Sequence, residues 1–149
     1  MLNIEIAETP TPDEREFILQ QLLKFNSRRA GEANYKPLTI FLREADENLV
    51  GGLLGATYWE WLYVDLFWIH ESWRKQGYGD AVLAAAEQEA VRRGCQYAYL
   101  DTFSFQAPEF YQKRGYVVFG ELPGFPEEHS RYFLKKVLSA HLSSPQEIE

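Results

Sequence analysis

Two cations and two glycines stand together in Arg74-Lys75-Gln76-Gly77-Tyr78-Gly79, between an apolar run and a long stretch of helical periodicity. Glycine removes the side chain where a ligand must approach backbone amides, and a helix starting here presents unpaired N–H groups at its positive end. Together these features suit a pyrophosphate or a similar anion. The same glycines also serve a tight strand-to-helix turn with no ligand, and the loop alone does not choose between the two. Spacing excludes two nucleotide motifs. No glycine precedes a Gly-Lys-Ser or Gly-Lys-Thr at the required interval, and Gly-x-Gly-x-x-Gly would need glycine where Val82 stands.

Composition narrows the ligand. The 149 residues carry a formal net charge of −7, and an acidic surface repels phosphate backbones and anionic lipid, so nucleic acid and membrane are disfavoured as partners. Against that background the basic pairs Arg74-Lys75 and Lys113-Arg114 read either as contacts for a small anion or as solvated loop charges. The single cysteine, Cys95, excludes an internal disulfide and multi-cysteine zinc motifs. His70, His129 and His141 are too scattered to ligate a metal, so none is expected. Trp59, Trp61, Trp68 and Trp73 are expected to pack in the core and along a groove wall.

The elements that must position the loop follow from periodicity. Ile4 and Ile6 predict a short first strand, and Asp13 caps a helix carrying Phe17, Ile18, Leu22 and Phe25 that ends near Asn26. The stretch from Asn26 to Asn34 reads equally as loop or short helix. Alternation over Leu38, Ile40 and Leu42, a turn at Asp46-Glu47-Asn48 and an apolar run from Leu49 to Tyr58 predict a hairpin. Leu62 to Ile69 reads as a central strand buried on both faces. A helix from Asp80 to Arg93 follows, its stripe being Val82, Leu83, Ala86 and Ala90. Next come a strand at Tyr97 to Thr102, a short helix at Ala107 to Arg114, and strands at Tyr116 to Phe119 and Tyr132 to Val137. Residues 1–138 are thus expected to form one domain, with 139–149 a polar tail. No run of about 18 apolar residues exists to cross a bilayer. The start lacks the order of a signal peptide, so a cytoplasmic location is expected.

These residues carry a resemblance. Arg74-x-x-Gly77-x-Gly79 is similar to the loop motif of the GNAT acetyltransferase superfamily. The strand Leu66-Phe67-Trp68-Ile69 before it, the helix after it, and Ala107-Pro108-Glu109-Phe110-Tyr111 through Gly115-Tyr116 resemble the consecutive family motifs over roughly residues 36 to 137. The segment Asp101-Thr102-Phe103-Ser104-Phe105-Gln106-Ala107 resembles that of small bacterial members. The resemblance implies an α/β fold with a mixed, mostly antiparallel central sheet splayed at a cofactor groove, with helices on both faces.

It further implies acetyl-CoA as cosubstrate, its pyrophosphate on the amides of Gln76, Gly77, Tyr78, Gly79 and Asp80, with Arg74 and Lys75 adding charge. Main-chain groups of Phe67, Trp68 and Ile69 would receive the pantetheine arm as an extra strand. Ser104 and Ala107 line the same groove, Ser104 standing where relatives often carry Asn. Tyr111 corresponds to the general acid near the CoA sulfur, since a phenol with a pKa of about 10 keeps its proton at neutral pH. Asp65 is the leading general base, expected on the same side of the strand as Phe67 two residues on, with Asp101 and Glu60 as competitors. The acceptor is a small amine or a peptide, and the chain a monomer or homodimer. A catalytically silent acyl-CoA sensor and an interaction module are the alternatives.

Overall fold

A computed structural model describes residues 1–138, and the expected tail at 139–149 lies outside them. Two compact units are present, residues 1–33 and the remainder from Asn34. The first contains α1, Pro12–Ala30. Thr11, and not Asp13, is its cap: the Thr11 hydroxyl accepts from the Glu14 amide at 3.1 Å while the Glu14 carboxylate accepts from the Thr11 amide at 2.9 Å. Pro12 starts the helix where no amide is needed, and Asp13 falls in the first turn. The helix runs past Asn26 to Ala30, resolving the open stretch as helix followed by a Gly31 turn. Ile4 and Ile6 form no strand. Their alternation satisfies the pattern, but a strand exists only with a partner ladder.

The second unit holds a six-stranded sheet in the order β1-β2-β3-β4-β6-β5. Its strands are β1 (Lys36–Arg43), β2 (Leu49–Tyr58), β3 (Trp61–Ile69), β4 (Tyr97–Phe103), β5 (Val117–Pro123) and β6 (Ser130–Val137). Every pairing is antiparallel except β3 with β4, which the crossover helix α2 (Tyr78–Arg92) makes parallel. The short helix α3 spans Pro108–Gln112. Val82, Leu83, Ala86 and Ala90 of α2 are buried with Leu38, Leu53, Leu62, Val64, Leu100 and Leu134 of the sheet. A fully buried side chain of this size contributes about 1.5–3 kcal/mol. Tyr111 and Phe110 of α3 pack on the same cluster, so both helices of this unit cover one face.

Two polar devices fix α2 on that face. At its C-terminal end the Arg93 guanidinium donates to the Pro37 carbonyl at 3.0 Å, the Thr57 hydroxyl at 3.1 Å and Glu89 at 2.9 Å. In mid-helix, Glu87 accepts from the Tyr116 hydroxyl at 2.8 Å and the Lys136 ammonium at 2.9 Å. Burial and the nearby Glu87 carboxylate push the Tyr116 phenol far above its ordinary range.

Candidate active site

The site begins where the sheet opens. β3 and β4 share only four partner pairs, from Trp61↔Tyr97 to Val64↔Leu100. Beyond them β4 stays paired with β6 as far as Phe103, while β3 continues along β2 to Ile69. Residues 65–69 of β3 therefore lose their β4 neighbour, and Asp65, Leu66 and Trp68 are exposed. The expectation of a strand buried on both faces holds only for its first half.

The divergence starts at a bulge. Leu54 pairs with Leu66 and Gly55 with Val64, so Asp65 is an extra residue with no partner on β2. Gly55 permits it: a Cβ there would stand 2.1 Å from the Tyr63 carbonyl oxygen. The bulge also reverses which side chains face the core. Leu62 and Val64 are buried, and the next core-facing pair is Phe67 and Ile69. Asp65 is thus not on the Phe67 side, because simple alternation fails across an inserted residue. Its carboxylate accepts instead from the Tyr63 hydroxyl at 3.4 Å. Tyr63 stacks on Tyr99 with ring centroids 4.9 Å apart, and the Tyr99 hydroxyl bonds that of Tyr58. Burial, followed by Asp65 and Asp101, holds the Tyr63 phenol above its ordinary range.

The competing carboxylates are occupied. Asp101 is paired with Arg131 at 2.7 Å, and Glu60 accepts from Gln96 at 2.8 Å in the turn at the opposite end of β3. Asp65 is the one of the three bonded only by a phenol.

On the helix-covered face Tyr111 meets Phe67 with centroids 6.3 Å apart and Tyr116 at 5.9 Å. Burial alone pushes its pKa up to about 12. Ala107 precedes α3, and Pro108 at the first helical position is buried. The Ser104 hydroxyl accepts from the Ser130 amide at 3.0 Å, which ties it to the β4–β6 end and leaves its proton and one lone pair.

The loop before α2 is open to solvent from Arg74 to Tyr78. Gly77 caps the helix at φ 90°, and a Cβ placed on it would meet nothing within 4 Å. No side chain caps this end. The first intrahelical bond is from the Ala81 amide to the Gly77 carbonyl at 3.1 Å, so the preceding amides have no carbonyl one turn back to pair with. The residues present therefore fit a diphosphate. Lys75 holds a left-handed φ of 61°, and the Gln76 side chain donates to the Ser72 carbonyl at 3.0 Å, stiffening the turn. Arg74 Nε donates to the Ile69 carbonyl at 2.7 Å, so that carbonyl is already engaged and Arg74 is tied to the end of the opened strand.

Sequence reasoning missed Gly55, whose signal was a glycine inside an apolar strand, and, although it singled out the Lys113-Arg114 pair, it missed the bond from Arg114 to Asp80, 34 residues away. None of the four tryptophans is in the buried core; Trp59 and Trp61 lie at one end of β3, Trp68 and Trp73 near the other. The Cys95 thiol is buried, and desolvation raises its pKa. A cleft of about 470 Å³ lies at the far end of α2, lined by Asn34, Lys36, Thr57, Glu89, Arg92 and Arg93. There the Arg93 Nε and one terminal nitrogen are engaged by Glu89, Pro37 and Thr57.

Comparison with known proteins agrees with this geometry. A family model described as Acetyltransferase (GNAT) family matches residues 2–116. An acetyltransferase of Agrobacterium fabrum is 34% identical over 135 residues, 91% of this chain and 98% of the relative. The blasticidin-S acetyltransferase of Streptomyces morookaense is 35% identical over 142 residues, 93% of this chain and all of the relative (100%). The crystal structure of an acetyltransferase from Bacillus cereus superposes with a TM-score of 0.80 at 33% identity, covering 90% of this chain and 98% of the other. With its sheet opening beside a bare, glycine-capped helix end, the chain belongs to the acetyltransferase (GNAT) family, whose acetyl donor is acetyl-CoA.

Proposed function

We propose that this acetyltransferase moves the acetyl group directly from acetyl-CoA to the primary amine of a small cationic acceptor, with no acyl-enzyme intermediate. The carrying observation is that the bulge at Asp65 puts that carboxylate and Tyr111 on opposite faces of the opened β3–β4 end. The amides of Gln76, Gly77, Tyr78, Gly79 and Asp80 hold the diphosphate, with Arg74 and Lys75 beside it. Main-chain groups of Phe67, Trp68 and Ile69 flank the pantetheine arm, and Ser104 and Ala107 line its other side. Acetyl-CoA supplies the activated carbonyl and a thiolate leaving group.

Asp65 takes the proton of the attacking amine, directly or through one water, as the new N–C bond forms. Tyr111 donates its phenolic proton to the departing sulfur as the C–S bond breaks, which balances charge across the sheet. Cys95, buried with a raised pKa, is unsuited to serve as a nucleophile.

Charge and surface support a small cationic acceptor. The face around Asp65 carries Tyr63, Tyr99, Trp61 and Asp101, and its cation Arg131 is already paired. A relative at 35% identity is named for a small molecule, blasticidin S.

The test is coenzyme A binding by calorimetry, together with CoA release from acetyl-CoA in the presence of small amines and of peptides. Wild type is expected to bind and to turn over small amines, G77E to lose binding, and D65N to bind CoA normally while kcat/KM falls about a hundredfold. Binding without turnover by any amine would instead identify a silent acyl-CoA sensor. A preference for peptides would overturn the small acceptor.

A further inference from the structure

Asp80 occupies the third position of α2, inside the helix end just assigned to the diphosphate. A carboxylate there competes with an incoming anion for the same positive field and repels it. Yet the Asp80 side chain does not cap the helix. It turns to Arg114, whose Nε donates to Asp80 Oδ1 at 2.8 Å.

The same guanidinium makes two further contacts. One terminal nitrogen donates to the Phe110 carbonyl at 2.8 Å, and the group lies 3.8 Å over the Phe110 ring. That ring in turn stands 3.3 Å from where a Cβ on Gly79 would be. Arg114 therefore joins the carboxylate at the start of α2 to α3 and, through Phe110, to the glycine of the loop. Its side chain is 28% exposed against 59% for Asp80, so the cation is the better fixed of the two.

We infer that Arg114 is a positioning residue of the cofactor site: it cancels the Asp80 charge beside the diphosphate and holds α3, with Tyr111, against the loop. This rests on the reading that the diphosphate lies on the Gln76 to Asp80 amides. The pair also accounts for an acidic side chain in an anion-binding helix end. Unpaired, Asp80 opposes the ligand; paired with Arg114, its charge is offset and that opposition falls away.

The experiment is a double-mutant cycle on coenzyme A affinity at low ionic strength, with wild type, R114Q, D80N and R114Q/D80N. R114Q is expected to weaken CoA binding about tenfold, because an uncompensated carboxylate then faces the anion. D80N alone is expected to tighten it about threefold, because the Arg114 charge is released toward the diphosphate. The double variant returns to within about twofold of wild type. An Arg114 with only a structural role predicts weak binding that D80N does not restore. The inference is overturned if the double variant stays as weak as R114Q, or if D80N leaves affinity unchanged or lowers it. D80N decides the matter by itself should R114Q fail to fold. A wild-type protein that does not bind coenzyme A would instead remove the functional reading beneath it.

Discussion

Asp65 and Phe67 are two residues apart on one strand, yet Phe67 packs toward α3 and Tyr111 while Asp65 accepts a hydrogen bond from Tyr63 on the other face. In a regular strand that spacing puts both side chains on one side. The inserted residue at the bulge separates them, and it places a carboxylate and a phenol across the gap where β4 departs.

Gly55 should be intolerant of any side chain. In Gly55→Ala the new methyl meets the Tyr63 carbonyl at 2.1 Å, so either the bulge flattens or the β2–β3 ladder parts. The expected loss is about 1–3 kcal/mol in chemical denaturation. Acetyl transfer should fall more than coenzyme A affinity, since the bulge carries Asp65 and not the loop. Unaltered stability would show that the bulge does not need glycine.

Tyr111→Phe keeps the ring contacts with Phe67 and Tyr116 and removes only the proton. Coenzyme A affinity should hold, and kcat should drop about a hundredfold or more. Because burial lifts this phenol to about 12, it stays protonated well beyond the ordinary value of 10.0, and no alkaline limb from it should appear below that pH. A wild-type rate that falls near pH 9 and flattens in the Phe variant would contradict this.

Glu87→Ala strands two partners at once. The Lys136 ammonium, with 13% of its side chain exposed, and the Tyr116 hydroxyl both lose their acceptor. Leaving a buried charge alone costs about 3–5 kcal/mol, read as a lower denaturation midpoint. Adding Lys136→Met to Glu87→Ala should recover part of that loss by removing the stranded charge.

Stability should decline in strong alkali. Tyr63, Tyr99, Tyr111 and Tyr116 all have pKa values raised on folding, chiefly by desolvation. The folded state therefore keeps protons that the unfolded chain gives up from about pH 10 upward, so stability present below pH 10 is lost as pH rises through the folded values. For Tyr111 the window is 10.0 to about 12. Urea midpoints measured from pH 8 to 11 check this, and a flat profile above pH 10 would refute it.

Much of this fold was legible from periodicity. The β1–β2 hairpin, the stripe of α2 and the Gly77 loop are local patterns, and each lies within a few residues of its expected place. What escaped depends on partners distant in sequence. Ile4 and Ile6 alternate as a strand does, but no ladder receives them. Asp13 has the chemistry of a cap, yet Thr11 wins because Glu14 sits three residues after it and completes the reciprocal pair. Alternation put Asp65 beside Phe67, and only the pairing of Gly55 with Val64 shows the slip. The Asp80–Arg114 bond joins residues whose separate motifs gave no sign of contact.

The Arg93 contacts give α2 a mechanical asymmetry. Its C-terminal end is stapled to the first residues of β1 and the last of β2, while the Gly77 end has no side-chain cap and is held through the Asp80–Arg114 pair. The final turn is bonded into the sheet while the first amides have no acceptor of their own, and hydrogen exchange should register that difference. Amides in its final turn should exchange slowly whether or not coenzyme A is present, whereas those from Tyr78 to Asp80 should slow only when the anion arrives to occupy the helix end.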